Sequence, residues 1–128
     1  MNLDIFKKLD DIEKGENKIV YIIKIQTVEG QLLYKIGVTT EGRHIDRLME
    51  ILKGYFTQYR YTPYAKLVRF RVFEDAYSIE HMLHDKYKTN NYKFDKKFCG
   101  STEFFQIDDE CKFIEDYDRV HSEPINCV

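Results

Sequence analysis

The 128-residue chain has no tryptophan, two prolines and three cysteines. Cys99, Cys111 and Cys127 form no CxxC pair, so ribbon-type zinc and thioredoxin-like spacings are excluded and a reducing compartment fits. Cytoplasm is the expected location, a host's if the protein is viral or from a phage. No apolar run approaches the ~18 residues of a membrane-spanning helix, and Met1 to Asp11 lacks an apolar stretch of signal-peptide length. Gly37 and Gly42 make neither a P-loop nor a dinucleotide spacing. A basic surplus is missing too. The net charge of −2 argues against tight, self-sufficient binding of nucleic acid, although a local basic patch remains compatible with it.

What is present is aromatic and evenly charged. Ten Tyr and nine Phe accompany 43% apolar and 33% charged residues, a globular composition at the length of one domain. Ile5, Leu9 and Ile12 predict a short helix over Asp4–Glu13. Alternating β-branched residues predict strands over Lys18–Thr27 and Leu32–Val38, joined by a Glu29–Gly30–Gln31 turn. A helix from Arg43 to Lys53 places Ile45, Leu48, Met49 and Leu52 at core spacing, with Gly54 as its stop and an irregular Tyr55–Tyr64 after it. A third strand is expected over Ala65–Phe73 and a helix over Asp75–Tyr87, with Asp75 as cap. A polar loop follows over Thr89–Phe98, then a turn at Gly100. The last helix opens at Asp108 or Asp109. The expected fold class is α+β, a small antiparallel three-stranded sheet flanked by helices. Its parts are an N-terminal helical extension (1–18), a domain (19–120) and a C-terminal tail (121–128).

Several residues could carry chemistry together. Tyr21, Lys35 and Gly37 share one side of the hairpin if its register sets them across from each other. Arg43 and Arg47 are one helical turn apart and share a face. Glycine at 37 would let a phosphodiester approach the backbone, and an arginine fork can hold two phosphate oxygens. Glu80 and His84 are likewise one turn apart, and a carboxylate can hold one Mg²⁺ through oxygen. Tyr34, Gly37, Arg43 and Arg47 are the expected nucleic-acid contacts; strand packing is the competing explanation for Tyr21 and Tyr34. Glu103, after Gly100–Ser101–Thr102, either accepts local backbone N–H groups or reaches this site. His81, His84 and Cys99 allow a zinc reading, but no fourth ligand is evident.

Ile19–Val20–Tyr21, Lys35–Ile36–Gly37 and Gly100–Ser101–Thr102–Glu103–Phe104–Phe105, in this order, resemble the GIY-YIG nuclease superfamily, in its phage and large-DNA-virus branch. The resemblance covers residues 19 to 105. It implies metal-dependent hydrolysis of DNA phosphodiesters with Mg²⁺ or Mn²⁺. Arg47, with Arg43 as the alternative, matches the catalytic arginine, and Glu80 matches the metal-binding glutamate. His84 resembles a feature of the phage-type branch. The chain departs from the family at Lys35, where most members carry tyrosine. Tyr34 next to it points to the opposite face of the strand. Three outcomes follow: Tyr21 orients or deprotonates the water, Lys35 does so as an uncharged amine, or cleavage is lost. In the last case the domain is a noncatalytic DNA-binding or protein-interaction module. A single small domain with little net positive charge also suggests a homodimer or a separate DNA-recognition partner.

Overall fold

The computed structural model describes residues 17–122, with side chains through Val120. The expected helix over Asp4–Glu13 and the residues from 123 onward lie outside the described residues. β1 (Lys18–Gln26) and β2 (Leu32–Thr40) form the hairpin that their alternation predicts. Gly30 closes it at φ 87°, a left-handed conformation that a side chain would strain, and donates its N–H to the Thr27 carbonyl at 2.9 Å. β3 (Tyr64–Val72) pairs along the other side of β1, and the two-residue β4 (Phe104–Phe105) pairs with β2. The sheet is antiparallel throughout, in the order β3-β1-β2-β4. Among the described residues it therefore has four strands where three are expected, because two residues are too few to show a period.

Strand alternation sends two apolar sets to opposite faces. Val20, Ile22, Tyr34 and Ile36 pack beneath α2 (Ala76–Lys86) and α3 (Glu110–Ser122) through Ala76, Leu83, Phe113 and Tyr117. Ile19, Tyr21, Ile23, Ile25 and Leu33 pack beneath α1 (His44–Tyr59) and the aromatic segment at 92–98. Each large side chain buried in this way contributes about 1.5–3 kcal/mol, so both layers hold the sheet firmly. Tyr117 also donates its hydroxyl to the Val20 carbonyl at 2.7 Å, pinning α3 to β1.

Four expectations about the helices need correction, the first being that Ile45 and Met49, at core spacing in α1, are exposed, and Ile51 and Tyr55 are buried in their place. Gly54 does not end α1, which continues through the supposedly irregular stretch to Tyr59. Tyr55 and Tyr59 stack one turn apart with centroids at 4.6 Å, and their packing overrides the cost of the glycine. Gly54 serves a close approach instead: a Cβ there would stand 3.3 Å from Phe98 Cβ. The helix stops at Arg60, which adopts φ 54° and donates its N–H to the Phe56 carbonyl. Asp75 stands at the cap of α2, but its side chain makes no capping hydrogen bond. α3 runs past the expected boundary at Val120 to Ser122, and Asp109 Oδ1 caps it by accepting the Lys112 N–H at 3.1 Å. Among the described residues no helix is long and apolar enough to cross a membrane.

Candidate metal centre and its basic flank

The brevity of β4 creates the site. β4 meets β2 only at Tyr34 and Lys35, so among the described residues β2 has no strand partner on that side from Ile36 onward. A carbonyl left there needs a donor. His84 reaches over from α2 and donates its Nε2–H to the Ile36 carbonyl at 2.7 Å. Because a carbonyl only accepts, Nε2 is the donor, and in the neutral ring it is then Nδ1 that carries the lone pair a metal would use. Glu80 precedes His84 by one turn of α2 and shares its face.

The third member comes from a distant part of the chain. Gly100, at φ 85°, turns the backbone into a single 3-10 turn over Ser101–Glu103. Asn91 braces this turn by donating its amide hydrogens to the Thr102 and Phe104 carbonyls at 3.0 and 3.1 Å. Glu103 thereby arrives beside α2. One ligand atom each from Glu80, His84 and Glu103 lie within 4.8 Å of one another. This cluster of two carboxylates and an imidazole could hold a divalent ion. Among the described residues it is the one group of three that could do so, and it includes neither His81 nor Cys99.

A basic flank adjoins it on the α1 face. Lys35 is fully buried and donates from Nζ to Glu103 Oε1, so Glu103 belongs both to the cluster and to an ion pair. The lysine stem lies over Gly100, where a Cβ would come within 2.8 Å of Lys35 Cε. Its ammonium stands 5.4 Å from the Tyr21 ring centroid. Arg47 donates from Nε to Tyr21 Oη at 3.4 Å and from Nη1 to Glu50 at 3.0 Å and Cys99 Sγ at 3.5 Å. Burial alone would lower the Arg47 pKa, but the Tyr21 and Glu50 acceptors outweigh it and raise it, so the guanidinium is permanently cationic.

Tyr21, Lys35, Arg47, Glu80 and His84 are thus gathered around one sheet edge. Two of them lie deep: Tyr21 is 1% exposed and Lys35 0%, so both side chains lie beneath the surface. Gly37 sits directly across from Tyr21 in the hairpin register. The space left by its missing Cβ is filled by the end of the Tyr21 ring, with Cε2 at 2.9 Å from the Cβ position, and is not open to a phosphate. Arg43 stays outside the cluster, exposed at the start of α1 with Asp46 at 4.0 Å. Tyr34 is not brought to the site either. It is buried on the opposite face and donates its hydroxyl to Glu110; burial and that carboxylate both push its pKa up.

Of the two open possibilities for Glu103, the structure takes the one in which it reaches the site. The Gly-Ser-Thr turn was the available signal. The roles of Glu50 and Cys99 beside Arg47 had none, since Cys99 meets α1 only through the folded 92–98 segment.

No curated protein and no solved structure matches the chain. The sequence pattern of the T5orf172 domain matches residues 18–122, which include the four strands and three α-helices of the described residues and every residue of the cluster. The chain belongs to the T5orf172 domain family.

Proposed function

We propose that the protein is a metal-dependent endonuclease hydrolysing DNA phosphodiester bonds, with a GIY-YIG type of site. The single observation that carries this reading is the Glu80–His84–Glu103 cluster lying next to the Tyr21–Lys35–Arg47 flank. Two carboxylates and one imidazole fit Mg²⁺ or Mn²⁺, and the nitrogen donor favours Mn²⁺ of the two. When bound, such an ion would polarise a phosphoryl oxygen and acidify water.

The side chains would divide the remaining work. Glu80, Glu103 and His84 Nδ1 would hold the ion, with the Ile36 carbonyl orienting the imidazole. Arg47, whose side chain is 28% exposed, would steady a phosphate oxygen and neutralise charge that develops in the transition state. Tyr21 would position that guanidinium from below. Lys35 would set the charge at Glu103 and keep the site from becoming too acidic for a phosphodiester. The protein would meet its DNA in a cytoplasm.

The test is nicking of supercoiled and branched DNA in Mg²⁺, Mn²⁺ or chelator. Products should form only with metal. Arg47→Ala should slow cleavage by about 10²–10³-fold, the usual loss for one preorganised donor, and Glu80→Gln by at least as much. A second reading, a noncatalytic DNA-binding module, is favoured by Lys35, which stands where the superfamily has tyrosine and already occupies Glu103. Under that reading DNA mobility would shift equally in metal and chelator, and no product would form.

A further inference from the structure

We propose that the groove beside the Ser101–Glu103 turn seats one unpaired nucleobase of the DNA substrate, an inference that rests on the DNA-cleaving reading above. The groove has a volume of 310 Å³ and is lined by Asn91, Tyr92, Lys93, Phe94, Lys97 and Thr102. That volume is at the lower limit of ordinary small-ligand sites, about 300–1,000 Å³, with room for a flat ring system such as a nucleobase. Thr102 precedes Glu103 in the chain, so a base lodged there lies one residue from the metal cluster.

The lining chemistry is that of a nucleotide. Tyr92 and Phe94 give an aromatic wall, and a base can meet such a wall only when it has left its own stack. The wall is braced: Phe94 packs edge-on against Tyr92, Phe98 and Phe104 with centroids at 4.8, 4.9 and 5.4 Å. Asn91 spends its amide hydrogens on the Thr102 and Phe104 carbonyls, so its Oδ1 is left as an acceptor for a base edge. Lys93 and Lys97 are both exposed at the rim. Among the described residues neither enters an ion pair, whereas Lys96 between them is turned to the Gln58 carbonyl at 3.3 Å and the Tyr59 ring. Two uncommitted cations flanking an aromatic pocket match a phosphate on either side of an extruded base. The arrangement selects DNA with an unpaired nucleotide at a fork, gap or flap, and explains how a chain of net charge −2 could choose its target without a basic surface.

The experiment measures binding in chelator, where nothing is cut, by fluorescence anisotropy with forked, gapped and blunt duplex DNA of equal length. The seat predicts that forked or gapped DNA binds at least about tenfold more tightly than blunt duplex. Lys93→Gln combined with Lys97→Gln should flatten the slope of log K against log salt on the unpaired substrate by about 1.4, from ~0.7 per cation lost. 2-Aminopurine scanned through the strand should be quenched at one position next to the junction. Tyr92→Leu, which keeps the apolar volume, should abolish that quenching. Equal affinity for forked and blunt DNA, an unchanged salt slope, or no quenched position would each overturn the seat, while metal-dependent cleavage of duplex would leave the nuclease reading standing. Failure to bind or cut DNA of any form would overturn both.

Discussion

Replacing Gly37 with alanine isolates one contact on which the basic flank depends. Gly37 has no positive φ, so alanine carries no backbone strain there, and the whole cost is steric. The new Cβ would overlap the end of the Tyr21 ring, and Tyr21 is 1% exposed, with the Lys35 ammonium over its face, so the ring has nowhere to swing. Overpacking of this kind costs about 1–3 kcal/mol. The stiffer unfolded chain of the alanine variant returns about 0.4–1 kcal/mol, for a net loss of roughly 1–2 kcal/mol. In a Tyr21→Leu background the ring end is gone, and Gly37→Ala should then be neutral or stabilising by up to about 1 kcal/mol. The four proteins form a double-mutant cycle, read by urea denaturation at constant m-value. A coupling of about 1–3 kcal/mol is expected. An equal loss in both backgrounds would refute the reasoning, because it would mean that Gly37 is needed for its backbone and not as the floor beneath Tyr21.

Other consequences follow from the same contacts. Lys35→Met should tighten Mn²⁺ binding about tenfold in calorimetry, because it releases Glu103 and removes a cation beside the cluster, an effect of about 1.4 kcal/mol. Glu103→Gln should do the reverse and also destabilise the fold by about 1–3 kcal/mol in urea, since it strands a buried ammonium; the partial exposure of Glu103 keeps the cost below that of a fully buried pair. Asp116 tests pH dependence. Burial would raise its pKa, but the Tyr87 hydroxyl and the Lys86 ammonium outweigh it, so its folded value lies below the ordinary 3.8. A depressed carboxylate contributes stability that is present above its unfolded pKa and lost as pH falls through the folded one. Asp116→Asn should therefore cost about 1–3 kcal/mol at neutral pH, and its gap to wild type should close as pH drops below about 4 in pH-dependent urea unfolding.

The strands were legible because their faces alternate. Ile19, Tyr21 and Ile23 against Val20 and Ile22 marked the two faces of β1, while the meeting of Tyr21 and Lys35 on one side depended on the hairpin register, which the fold supplies. The helical spacing of Glu80 and His84 was legible for the same reason. α1 beyond Gly54 was not, because glycine and a run of tyrosines read locally as a break, and only the stacking of Tyr55 on Tyr59 and their edge-on packing against Phe94 and Phe98 make the helix continue. The polar look of Thr89–Phe98 similarly hid an aromatic layer. The acceptor that orients His84 is a backbone carbonyl, which no side-chain pattern reveals. Glu103 was ambiguous because its position depends on a left-handed Gly100 and on Asn91, each of which gains meaning only in the folded turn.

The most direct test is a Mn²⁺ titration followed by electron paramagnetic resonance, on wild type and on Glu80→Gln, His84→Ala and Glu103→Gln. The cluster predicts one saturable Mn²⁺ per chain, with affinity reduced at least tenfold in each variant while circular dichroism shows the fold retained. No saturable ion in wild type, or binding unchanged in all three variants, would contradict the metal centre and with it the proposed chemistry.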